Sequence, residues 1–200
     1  MKNLQTFEEF INKNQIFEAV DFNGERVSLF VGRFQPFHLG HIAAMQKTSN
    51  VFQCPVIPIQ VLSKTEKSPF PDALLTKIGS SVAKEYSKWM ATYILFPSNL
   101  KAVIPQMVKY LREQGYESIG MGVGSDRYKA YEHQIKYLNS DKSDVPVSEP
   151  FRIEIVDERS PSGPSGTRVR DAIKEGNKKL FEEYTPKSVH SFYDDLKKYL

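Results

Sequence analysis

Five short apolar runs rich in Val, Ile and Phe, spaced by helix-like and polar segments, constrain this chain more than any other feature. They are RVSLFVG (26–32), PVIPIQVL (55–62), ATYILFP (91–97), ESIGMGVG (117–124) and FRIEIVDE (151–158). Apolar runs of strand length alternating with helical periods are the pattern of parallel strands joined by crossover helices. The expected fold is therefore α/β, a doubly wound parallel sheet in a single domain. A chain of 200 residues holds one such domain with a sizeable core and leaves little for a second.

The connecting segments carry their own signals. DALLTKIGSSVAKEY, from Asp72, puts Leu74, Leu75, Ile78 and Val82 on one helical face. AVIPQMVKYLREQG places Pro105 in a first turn, where it is tolerated, and ends on Gly115, a helix stop. The polar stretch from Asn139 and the small-residue stretch from Ser160 read as surface loops within the domain. No internal repeat or low-complexity tract is present in the sequence. The expected organisation is an N-terminal lead-in over 1–25, with a helix and a hairpin-like segment, a domain over 26–176, and a C-terminal helical extension over 177–200.

Charge and cysteine content narrow the setting. With 27 basic and 24 acidic residues, the net +3 gives no strong case for bulk electrostatic binding to nucleic acid or membrane and leaves room for a local anion site. The single cysteine, Cys54, cannot form an internal disulfide and reads as core or edge packing in a reducing compartment. No apolar stretch approaches the roughly 20 residues needed to span a bilayer, and the N-terminus lacks a secretory pattern. A soluble, cytoplasmic protein is expected.

Residues 31–41, VGRFQPFHLGH, follow the first apolar run directly and lead into a helix expected to begin near Leu39. In open parallel sheets, ligands bind at this carboxyl end of a strand. Gly32 lets backbone pass close to a ligand, Pro36 stiffens the turn, and Gly40 clears space for a flat base or ribose against the helix start. His38 and His41, three residues apart, can converge above the helix N-terminus, where the dipole favours a phosphate. Each histidine alone could be ordinary surface filler; the arrangement as a whole argues for function. Near the other end, PSGTRVRDAIKEG reads as an N-capped helix whose free amides and hydroxyls can bind phosphate oxygens, with Arg168 and Arg170 adding charge.

Together these two stretches carry a resemblance. GRFQPFHLGH is similar to the H-x-G-H signature of the nucleotidylyltransferase superfamily, and GRFQPFH most resembles its nicotinamide-mononucleotide adenylyltransferase branch. PSGTRVRDAIKEG resembles the family's S-S/G-T-x-x-R motif. The motifs lie about 125 residues apart and the resemblance spans 26–176; GSDR at 124–127 and the C-terminal KSVHSFYDDLKKYL also look like small, virus-encoded members. The resemblance implies a Rossmann-like fold and transfer of AMP from ATP to nicotinamide mononucleotide, giving NAD and pyrophosphate.

What the resemblance implies for single residues follows from the motifs. His38 and His41 would donate hydrogen bonds at the reacting phosphates, Arg33 would orient the α-phosphate or the attacking phosphate, and Arg170 would grip the β and γ phosphates with Thr167. Gly32, Phe34, Gly40, Gly124, Ser165 and Gly166 would complete the nucleotide site. Mg²⁺ would arrive on the triphosphate, since no carboxylate cage stands out. Asp126 has two open readings, a hydrogen-bond acceptor for ribose or base and a helix N-cap. Lys64 and Lys67 are candidates for the acceptor's phosphate, although this chain has SPF where family members carry an N-P-F-like element. Trp89 is an acceptor-stacking candidate that more simply reads as core, and His133 and His190 read as surface or structural. The partners implied are ATP and a phosphorylated small molecule, with a homo-oligomer left open. Alternatives are a cytidylyltransferase or an adenylyltransferase for another phosphorylated acceptor, and a nucleotide-binding sensor without turnover. A class I aminoacyl-tRNA synthetase shares the histidine motif, but the chain has no K-M-S-K-S run.

Overall fold

The computed structural model describes residues 26–62, 68–97, 99–101, 103–145, 147–157 and 163–200. The lead-in expected over 1–25 lies outside the described residues, as do Lys64 and Lys67. Strands β1 (Arg26–Gly32), β2 (Val56–Gln60), β3 (Ile94–Leu95), β4 (Glu117–Gly124) and β5 (Arg152–Asp157) form one sheet in the order β3-β2-β1-β4-β5. Every pairing is parallel. The expected doubly wound, Rossmann-like architecture is the one observed.

The crossover helices are distributed over the two faces of the sheet. Helices α1 (Leu39–Phe52) and α2 (Asp72–Glu85) follow β1 and β2 and pack on one face. Helices α3 (Ile104–Glu113) and α4 (Tyr128–Leu138), which follow β3 and β4, cover the other. Side-chain alternation along β1 serves both faces, with Phe30 in the first core and Val27 and Leu29 in the second. After β5 the chain forms α5 (Gly166–Lys174), α6 (Lys178–Tyr184), α7 (Lys187–His190) and α8 (Tyr193–Lys197). Residues 177–200 are helical, and Phe181, Val189 and Leu196 are buried in the same core as α1, α2 and α5. Gly120 and Gly122 let α1 lie close on β4, since a Cβ at Gly122 would fall 1.9 Å from the Thr48 hydroxyl oxygen.

One expected strand is shorter than its apolar run. Of residues 91–97 only Ile94 and Leu95 pair with β2, with a separate bridge from Met90 to Val56. The Val56 N–H and C=O bond to Trp89 and Ala91 on the β3 side, and the Gln60 carbonyl takes the Phe96 N–H on that side. By strand periodicity Pro58 faces the same edge and has no N–H to give it, so pairing lapses between the two contacts. Helix α3 carries Pro105 in its first turn, and Gly115 follows its C-cap at φ 88°, as expected.

Candidate active site

The strand order reverses between β1 and β4: the chain winds outward from β1 to β3, then returns to start β4 on the other side of β1. Helices diverge to opposite faces there and leave a crevice at the carboxyl ends of the two strands. Residues Gly32 and Arg33 from β1 and Gly124 to Arg127 after β4 stand at that crevice.

The turn after β1 is built mainly of its own aromatic rings. Phe34 has φ 39°, a left-handed conformation costly for a bulky residue. Burial holds it there: Phe34 is 1% exposed, stacks on Phe37 with centroids 4.3 Å apart, and covers Gly32, where a Cβ would lie 2.6 Å from the ring. Gly32 therefore clears space for the Phe34 ring. The Gln35–Pro36 peptide is cis.

Helix α1 begins at Leu39 as expected, with His38 as its N-cap and His41 in its first turn. The two imidazoles stack face to face, centroids 3.6 Å apart, and His41 also meets the Phe34 ring edge-on at 5.0 Å. The His38 backbone N–H donates to His41 Nδ1 at 3.3 Å. With Nδ1 accepting, a neutral His41 carries its proton on Nε2 and presents that nitrogen as a donor. At Gly40 a Cβ would fall 3.0 Å from His38 Nδ1 and 3.2 Å from the Pro164 carbonyl. Glycine there lets the imidazole and the segment leading to α5 come together.

The second motif meets the first directly. Ser165 caps α5, its hydroxyl accepting the Arg168 backbone N–H at 3.3 Å. Arg170 reaches across 135 residues of sequence to donate to the Gln35 carbonyl at 2.7 Å, and its other terminal nitrogen donates to the Thr167 hydroxyl at 3.3 Å. Gly166 sits under that guanidinium, 3.2 Å from where its Cβ would be. Partial burial lowers the Arg170 pKa, and the positive field of Arg33 lowers it further, against an opposing pull from Asp171. Arg33 and Arg170 thus feel one another's charge, with Asp171 the stronger electrostatic partner of Arg170, and guanidinium donors of this kind suit anionic oxygens.

The remaining candidates fall in different places. Asp126 lies at the carboxyl end of β4 and 3.7 Å from the Arg127 guanidinium. It is not the N-cap of α4, a position taken by Arg127, so that reading is corrected. Trp89 is not brought to the crevice: its carbonyl accepts the Val56 N–H at the opposite, amino end of β2, and its ring packs against Tyr86 at 5.3 Å. The acceptor-stacking reading of Trp89 is corrected by that strand polarity. His190 bridges the Glu182 and Thr185 carbonyls at 3.1 Å, a structural role. Among the described residues no group of three or more His, Cys, Asp or Glu side chains is placed to hold a metal ion. The donors present, imidazole and guanidinium N–H groups, suit phosphate oxygens.

Sequence reasoning missed two buried glutamines that hold this turn. Gln35 accepts the Phe70 N–H, tying the turn to the segment before α2, and Gln60 donates to the Arg33 carbonyl. Their signal in the sequence is slight, a polar residue inside or beside an apolar run.

Comparison with known proteins agrees with this architecture. The profile of the family described as cytidylyltransferase-like matches residues 29–172. A protein from Vibrio parahaemolyticus assigned as a nicotinate-nucleotide adenylyltransferase superposes with a TM-score of 0.59 at 14% identity, covering 84% of this chain and 98% of that one. The Plasmodium falciparum nicotinic acid mononucleotide adenylyltransferase, complexed with APC, gives 0.58 at 13% identity over 88% of this chain and 98% of that one. Thermotoga maritima TmcAL bound with alpha-thio ATP gives 0.56 at 10% identity over 86% of this chain and 55% of its own. No curated protein matches the sequence closely enough to count as a relative.

Proposed function

The chain belongs to the cytidylyltransferase-like family, whose profile runs from within β1 to within α5 and takes in both the H-x-G-H and S-G-T-x-x-R signatures, and from that premise we propose that it transfers AMP from ATP to nicotinamide mononucleotide. Nucleotidyl transfer is the reaction class; the substrate pair is the proposal. The observation that carries it is the Arg170 bond to the Gln35 carbonyl, which brings the capped helix α5 against the histidine turn. The neighbours named for nicotinate nucleotides, whose acceptor is the acid counterpart of nicotinamide mononucleotide, support an acceptor of this class, and the one bound to alpha-thio ATP supports the donor.

The chemistry asked of such a site is positioning and charge stabilisation. A phosphate oxygen of the acceptor attacks the α-phosphorus in line, a new P–O bond forms, the α–β bridging bond breaks, and pyrophosphate leaves with the electron pair. His41 donates from Nε2 to an α-phosphate oxygen as charge grows there, with His38 stacked behind it. Arg33 orients the α-phosphate or the incoming phosphate. Arg170, Thr167, Ser165 and the amides of α5 hold the β and γ phosphates. Gly124 and Asp126 face the ribose or base. Magnesium travels on the triphosphate as part of the substrate and neutralises its oxygens. Among the described residues no helix is long and apolar enough to cross a membrane, and the free, buried Cys54 suits a cytoplasmic setting.

The test is pyrophosphate release with Mg²⁺ and ATP or CTP over a panel of phosphorylated acceptors, with NAD formation followed in parallel. Matched pyrophosphate and NAD from ATP and nicotinamide mononucleotide is the expected result. Activity with another pair replaces the substrate, and binding without release replaces the enzyme by a sensor.

A further inference from the structure

Gln60 ends β2 opposite Gly32 in register and is 0% exposed. An amide in such a place is tolerated when its donor and acceptor are both used. Here Nε2 donates to the Arg33 backbone carbonyl at 2.6 Å, and Oε1 accepts from the Tyr93 hydroxyl at 3.0 Å. Because the carbonyl of Arg33 only accepts, the tyrosine must donate, and burial pushes its pKa well up and keeps it protonated. Tyr93 is itself fixed: its ring lies where a Cβ on Gly79 would fall, 2.4 Å away, and meets Phe37 at 6.0 Å between centroids.

The carbonyl that Gln60 holds belongs to the peptide between Arg33 and Phe34, whose plane is set by ψ of Arg33 and φ of Phe34. Phe34 is the residue at φ 39°. Rotation of this peptide would relieve the left-handed conformation and swing the chain at Arg33. We propose that Gln60, oriented by Tyr93, is a positioning residue that locks this peptide and so aims the Arg33 guanidinium at the nucleotide phosphates. The inference rests on the reading of the crevice as a nucleotide site, with Arg33 as a phosphate ligand.

A double-mutant cycle in the full chain tests it. Gln60→Met keeps volume and removes both hydrogen bonds; Tyr93→Phe removes only the hydroxyl. Affinity for α,β-methylene-ATP is measured by calorimetry, and kcat and KM by pyrophosphate release. Gln60→Met should weaken binding about tenfold and Tyr93→Phe about threefold, the scale of one or two lost hydrogen bonds. In an Arg33→Ala background neither should weaken it further. Wild-type affinity in a folded Gln60→Met protein overturns the proposal, as does a loss that multiplies with that of Arg33→Ala. If Gln60→Met does not fold, the cycle with Tyr93→Phe decides by the same criteria. A wild type that binds the analogue but transfers no nucleotide removes the proposed reaction and leaves the binding cycle to decide on Gln60, whereas one that binds no nucleotide overturns both.

Discussion

The two ends of the sheet use similar materials to opposite effect. At the amino end, the hydroxyls of Ser28 and Ser49 donate to the carbonyls of Pro55 and Cys54, closing the turn into β2. Charges there are matched, with Arg26 bonded to Glu149 and the Arg152 guanidinium 4.9 Å over the Phe52 ring. At the carboxyl end, Gln35 and Gln60 spend their amides on a left-handed turn, and two guanidiniums lie within each other's field. Repulsion between like charges opposes folding, and here Asp171 is the stronger electrostatic partner of Arg170 and outweighs it. Burial of polar groups alone does not set the two ends apart; what differs is that the carboxyl-end amides hold a left-handed turn beside Arg33 and Arg170.

Mutations at the two ends should separate accordingly. The largest effect is expected for His41→Ala, which should cut turnover by roughly 10²-fold or more, the loss seen when a donor to developing charge is removed. Its circular dichroism should stay native; unchanged turnover would remove His41 from the site. At the amino end the counterpart is Cys54, whose thiol burial pushes from its ordinary 9.0 up to about 11. Thiolate is the reactive form, so alkylation at pH 8 should run about 10²-fold slower in the native protein than in urea. The raised value also makes this group's contribution to stability complete below pH 9 and lost as pH rises towards 11, which urea titrations in that range would show. Fast native alkylation at pH 8 would mean that Cys54 is open to solvent.

A smaller effect is expected for Arg170→Lys. An ammonium cannot span the Gln35 carbonyl and the Thr167 hydroxyl as the guanidinium does. The KM for ATP should rise by about tenfold, and full rescue by lysine would mean that charge alone matters. The smallest is Trp89→Phe, which should leave the acceptor KM within about twofold, since the ring packs at the far end of β2. A large rise in acceptor KM alone would erase the contrast between the two ends.

The parallel sheet, the start of α1 at Leu39, the Ser165 cap and the stop at Gly115 were legible because each rests on local pattern. The short β3 was not, because which neighbour Pro58 faces depends on a strand order that periodicity does not encode. The Tyr93–Gln60–Arg33 chain was hidden for the same reason, joining residues on three separate segments. Gly40 and Gly166 stood out in the sequence, yet what fills the space beside them is protein: an imidazole and a carbonyl at one, a guanidinium at the other. The place of Trp89 had a usable signal, since a residue just before a strand in a crossover unit belongs to the amino end of the sheet.

The bond from Arg170 to Gln35 also has a consequence in time. On the ribosome the histidine turn emerges more than a hundred residues ahead of the arginine that fastens it, so a nascent chain displays one half of the proposed phosphate site with nothing to close it. On the proposed reading, nucleotide capture is then a late event in the life of each molecule, following the docking of the helix containing Arg170, and it reports that the whole domain has come together.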